Sequence, residues 1–80
     1  MDEWITLRQL KLGQKAVVKK VTAQGELGRR IRDMGLVAGA ALTVMGRAPL
    51  KDPVEIKLRG FNLTLRNNEA DHILVQTSEE

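Results

Sequence analysis

The stretch 54-VEIKLRGFNLTLR-66 decides the fold predicted for this chain. Apolar residues alternate with charged or polar residues along both of its halves, first Val54, Ile56 and Leu58, then Leu63 and Leu65. A period of two is typical of antiparallel strands that bury one face. The stretch therefore predicts strands at 54–59 and 62–66. A short turn over Gly60 to Asn62 joins them as a hairpin.

Further strands are predicted at 15–22, 41–47 and 72–77, from β-branched content or the same alternation. Helical segments are predicted at 25–34, over 67–71, and as a single turn capped by Thr6 and ended by Gly13. So small a sheet with one helix to cover it must close on itself to bury its apolar face. We therefore expect an all-β fold with one short helix, a small SH3-like antiparallel barrel of about five strands. We expect residues 1–80 to form a single domain.

The end of the main helix is specified in 29-RRIRDMGLVAG-39. Gly35 is placed just past the helix, in the left-handed conformation that glycine adopts at little cost. Ile31 then lies three residues inside the cap and Leu36 just outside it. Those two positions make the hydrophobic contact of a Schellman motif, so the stretch predicts a helix stop.

The composition excludes several classes of function. The 80 residues carry a net charge of +3, contain no cysteine and include one histidine, which leaves little for catalysis. No run approaches the roughly 20 apolar residues of a membrane-spanning helix, and the start is acidic, unlike a signal peptide. His72 is alone, and Asp52 with Glu55 is a weak carboxylate pair. We therefore expect a cytoplasmic protein that is no enzyme and has no cofactor or metal site.

With these elements in place, 29-RRIRDMGLVAG-39 followed by 48-APLKDPVEIKLRGFNLTLRNNEADHILV-75 resembles the FeoA family. The resemblance runs from about Thr6 to Val75. Ala38 and Lys51 depart from common family residues, at turn positions only. FeoA proteins are small cytosolic SH3-like barrels that accompany FeoB, the bacterial ferrous-iron transporter with a GTP-binding cytosolic domain. The resemblance implies an accessory protein whose partner is that transporter.

The arginines of the main helix are the predicted contact with that partner. If Leu27, Ile31 and Met34 face the core, Arg29 and Arg32 point to solvent and Arg30 lies on the flank. The predicted partner-binding residues are Leu27, Arg29, Arg30, Ile31, Arg32 and Met34. A solvated helix face, with a weak Arg29–Asp33 pair, remains the alternative. An apolar cleft lined by Leu27, Ile31, Met34, Leu36 and Met45 is a further hypothesis, and a plain core explains the same residues.

Nucleic-acid binding is the alternative function, because small basic barrels bind RNA or DNA. Lys57, Arg59 and Arg66 fit it, but stacking aromatics between the basic residues are missing, so no nucleic-acid partner is expected. A subunit that only self-associates is a third hypothesis, and the oligomeric state stays open. Structural turns are predicted at Gly35, Gly39, Pro49, Asp52 and Pro53, with Asp52 bonding nearby backbone amides.

Overall fold

A computed structural model describes residues 3–47 and 52–77. Its strands are β1 (Ile5–Thr6), β2 (Lys15–Val21), β3 (Ala41–Arg47), β4 (Val54–Leu58), β5 (Phe61–Leu65) and β6 (Ile73–Thr77). Its helices are α1 (Gly25–Asp33) and α2 (Asn67–Ala70), and a 3-10 turn spans Leu7–Gln9. None of the helices in this described part is long and apolar enough to cross a bilayer.

All strand pairs are antiparallel, in the order β1-β6-β2-β3-β4-β5. The sheet is barrel-like but not closed, because β1 and β5 lie at opposite ends of this order. Two register shifts produce bulges in β2 and β3. They lie between Val18 and Lys20 and between Val44 and Gly46. Bulges strengthen the local twist of a strand, which helps a small sheet to curl around its core. The predicted fold class is confirmed.

The predicted elements form, with small differences at their ends. The predicted count of about five strands becomes six, because the two-residue β1 pairs with β6 through Ile5 and Val75. So short a strand carries no alternation that a sequence pattern could reveal. The first helical turn ends at Leu10, whose N–H donates to the carbonyl of Leu7, and not at Gly13 as predicted.

The hairpin turn lies one residue earlier than predicted. Leu58 pairs with Phe61, so Arg59 and Gly60 form a two-residue loop with φ values of 52° and 85°. Positive φ at both positions matches the twist of a hairpin, and glycine or asparagine is the usual residue there. An arginine in this conformation costs about 1 kcal/mol, which is why the sequence pattern favoured Gly60 to Asn62 instead.

The core fills the inner face of the sheet. Val54, Ile56 and Leu58 of β4 are buried, as their alternation predicted, while the residues between them are exposed. At one end of β3, the Nη2 atom of Arg47 donates to the carbonyl oxygens of Arg8 at 2.8 Å and Leu10 at 2.6 Å. These bonds hold the 3-10 turn against the barrel, where Leu7 and Leu10 close the core.

Candidate docking site

Helix α1 ends in the Schellman geometry that the sequence predicts. Gly35 has a φ of 98°, and its N–H donates to the carbonyl of Arg32 at 2.9 Å. The N–H of Leu36 donates to the carbonyl of Ile31 at 3.4 Å, and both side chains are fully buried. These bonds satisfy carbonyls that the helix end would otherwise leave without partners. The helix is therefore fixed in orientation on the barrel.

The arginine-bearing face of α1 is exposed. Arg29 and Arg32 lie on the surface, and neither forms an ion pair with a described residue. The Arg29–Asp33 pair that the spacing allowed does not form within 4.0 Å in the described structure. Two guanidinium groups on a firmly anchored helix are thus available to a partner's carboxylates, which arginine binds in a bidentate manner.

The apolar residues of the predicted contact separate into two groups. Leu27 and Met34 are half-buried and pack against the core, so each also presents some surface. Ile31 is fully buried, so it belongs to the core and cannot contact a partner. Leu36 is fully buried as well, which excludes a cleft at these two residues. Met45 is 46% exposed and sits in the bulge of β3.

Arg30 has a structural partner that the sequence pattern did not predict. Its Nη2 atom lies 2.5 Å from Oε2 of Glu69, whose side chain is only 6% exposed. The other oxygen of Glu69, Oε1, accepts a bond from the backbone N–H of Arg66 at 2.9 Å, at the start of α2. A buried carboxylate needs such partners for both oxygens. Arg30 therefore joins α1 to α2.

We expect Glu69→Ala to lower the free energy of unfolding by about 2 kcal/mol, because a capping bond and a charge-assisted bond are both lost. Arg30→Ala should lower the free energy of unfolding by about 1 kcal/mol, since it leaves the buried carboxylate of Glu69 without its cation. Urea denaturation of the two single variants and the double variant measures their coupling.

Arg29→Ala is the matched control, because it removes an exposed arginine from the same helix. Its effect should stay within about 0.5 kcal/mol. Strictly additive losses for Arg30 and Glu69 would show that the pair contributes nothing to stability.

The predicted turn residues other than Gly35 come later in the chain. Gly39 has a φ of 94° and leads into β3. Oδ1 of Asp52 accepts a bond from the N–H of Asn67 at 2.9 Å, so it supports the start of α2. Pro53 follows Asp52 through a cis peptide bond. Pro49 lies outside the described residues.

Glu69 is the residue of this site that the sequence pattern did not reveal. Its one local signal is the spacing of 66-RNNE-69, where an acidic residue comes three positions after the start of a helical turn. In the stretches 3–47 and 52–77, no group of three or more histidine, cysteine or acidic side chains is arranged to hold a metal ion.

Comparison with known proteins gives consistent matches. A protein-family model described as the FeoA domain matches residues 5–77. The chain is 39% identical over 70 residues to the Fe(2+) transport protein A/Fe(2+) transporter FeoB fusion protein of Porphyromonas gingivalis. That match covers 88% of this chain and 8% of the fusion protein, so the chain spans less than a tenth of this relative.

Solved structures give the same result. The FeoA-like protein of Clostridium acetobutylicum has a TM-score of 0.92 and 36% identity, covering 100% of this chain and 93% of that one. The zinc-complexed FeoA of Stenotrophomonas maltophilia, described as an SH3 domain protein, has a TM-score of 0.78 and 29% identity. That match covers 89% of this chain and 88% of the other. The barrel is therefore SH3-like.

Proposed function

The chain belongs to the FeoA domain family, and from this premise we propose that it is a cytoplasmic, non-enzymatic accessory protein of ferrous-iron uptake. It acts by binding the cytosolic part of a FeoB-type transporter, which carries the GTP-binding domain. The observation that carries the proposal is the Porphyromonas gingivalis relative, in which a transport protein A part and a FeoB transporter share one polypeptide. Fusion holds two domains at a high effective concentration, which benefits domains that work in contact.

The proposed contact surface is the exposed face of α1. It consists of the exposed Arg29 and Arg32, flanked by the half-buried Leu27 and Met34. Arginines around a small apolar centre are typical of protein interfaces. Arg30 supports this surface by its bond to Glu69, which fixes α1 in place. The partner surface that fits it is acidic, with an aliphatic or aromatic side chain between the acids.

We expect the double variant Arg29→Glu/Arg32→Glu to bind the transporter's cytosolic domain at least about tenfold more weakly, because it places like charges across the interface. An amide NMR titration against that domain measures both the affinity and the contact residues. Shifts should concentrate on residues 27–39, and the thermal unfolding midpoint of the variant should stay near that of the parent protein.

The matched control is Lys11→Glu/Lys57→Glu, which changes the net charge equally on exposed residues outside α1. It should bind the domain with nearly unchanged affinity. Equal losses for the two double variants would mean that net charge, and not the α1 surface, governs binding. Absence of shifts on α1 in the parent protein would contradict the proposed contact surface.

A further inference from the structure

Phe61 is an exposed aromatic residue at the end of an edge strand. It lies opposite Leu58 in the β4–β5 ladder, and Leu58 in turn lies in register with Leu42. Leu42 and Leu58 are buried, but Phe61, the first residue of β5 and next to the hairpin loop, is 70% exposed. An aromatic ring held on a two-residue hairpin therefore projects from the domain into solvent.

Three cations lie at the same end of the sheet as Phe61. Lys15, Thr43 and Lys57 are aligned across β2, β3 and β4, which places the two lysines about 10 Å apart. Arg59 follows in the hairpin loop, and the three cations line one surface depression of about 290 Å³. Within residues 3–47 and 52–77, no acidic residue lines this depression, and none of the three cations forms an ion pair there.

A second apolar side chain lies at the same end of the sheet. Leu42 pairs with Leu58, so the segment that leads into β3 and the turn that follows β4 lie at one end. Val37, in that segment, is 38% exposed. We call Lys15, Val37, Lys57, Arg59 and Phe61 the tip surface. Cations around protruding apolar side chains are the combination by which peripheral proteins contact an anionic lipid surface.

We propose that the tip surface binds the surface of an anionic phospholipid membrane. Phe61 enters the boundary between headgroups and acyl chains, where aromatic rings are favoured, while the cations contact lipid phosphates. A single-stranded nucleic acid fits less well, because it needs several stacking aromatics and Phe61 is the one aromatic residue in this surface. The choice of a membrane also rests on the proposed function, which places the domain beside a membrane transporter.

The test uses the whole chain and lipid vesicles, without any transporter. We expect the chain to co-sediment with vesicles of equal parts phosphatidylglycerol and phosphatidylcholine, and not with phosphatidylcholine alone. Binding should weaken as salt rises, because the cations are exposed. Lys57→Glu should weaken binding by at least about fivefold, the contribution of one cation near such a surface. Phe61→Ala should weaken it by about fivefold as well.

Two control variants match these changes. Leu12→Ala removes an apolar side chain that is 69% exposed, about as much as Phe61. Leu12 lies next to Gly13, whose N–H donates to the carbonyl of Val44, towards the far end of β3. Lys11→Glu changes the net charge as Lys57→Glu does. Both should retain vesicle binding, and all four variants should unfold with similar thermal midpoints.

Several results would overturn the inference. These are equal binding to neutral and anionic vesicles, equal losses in the tip variants and their controls, and binding of a single-stranded RNA oligomer in place of vesicles. The outcome is separable from that of the proposed function. Arg29→Glu/Arg32→Glu should retain most vesicle binding, and Phe61→Ala should retain binding to the transporter domain.

Discussion

Gly28→Ala is expected to lower the free energy of unfolding by about 2 kcal/mol or more, although alanine favours a helix over glycine by about 1 kcal/mol. Gly28 is buried within α1. A Cβ atom at this position would overlap the carbonyl oxygen of Ala23 and lie 3.0 Å from its carbonyl carbon. Both are backbone atoms, so the start of the helix must shift to make room.

Thermal unfolding followed by circular dichroism measures this effect, and a decrease of about 10 °C is expected for a domain of this size. Gly46→Ala is the matched control. Among the described residues, a Cβ at Gly46 meets only the Oε1 atom of Glu55, at 3.8 Å, so that variant should unfold near the parent midpoint. A raised midpoint for Gly28→Ala would show that helix propensity outweighs the contact with Ala23.

Gly35→Val is expected to lower the free energy of unfolding by about 3 kcal/mol, because two effects add. A β-branched residue at a φ of 98° is strained by about 1–2 kcal/mol or more. The new Cβ would also lie 3.2 Å from Cδ2 of Leu58, which is packed in the core and has little room to move. The substitution is therefore expected to move the Schellman end of α1 away from the sheet beneath it.

Gly13→Val isolates the first of these effects. Gly13 has a φ of 85°, but a Cβ atom added to it would have no neighbour within 4 Å in the described part of the chain, so this variant carries the backbone strain alone. Urea denaturation of both variants should give the larger loss for Gly35→Val. Equal losses of stability in the two variants would show that the contact with Leu58 contributes nothing. An unchanged urea midpoint for Gly35→Val would contradict the predicted helix ending.

The fold was predictable because its strongest signals are local. Alternation in 54–58 placed Val54, Ile56 and Leu58 in the core, and the spacing of Ile31, Gly35 and Leu36 specified the end of α1. Such signals need only a short stretch of chain, since side chains two or four residues apart share a face. The hairpin turn was misplaced by one residue because Arg59 occupies a conformation that arginine seldom adopts.

The candidate site was less predictable because it depends on contacts between distant segments. Glu69 and Arg30 are 39 residues apart, and nothing in either local pattern pairs them. Phe61 is exposed although Leu63 and Leu65, on the same face of β5, are covered more fully, and no local pattern reveals that difference. Arg29 and Arg32 were placed correctly on the surface, since helical periodicity alone determines their direction.

The pairing of β1 with β6 has a consequence for how this domain is combined with others. Ile5 lies opposite Val75, so the first and last strands run side by side and the chain enters and leaves the sheet at neighbouring positions. A domain whose two ends are adjacent is a self-contained unit. It can be appended to a longer polypeptide or inserted into a loop without stretching its strands. Gene fusion at either end of such a domain therefore need not disturb the pairing of its strands.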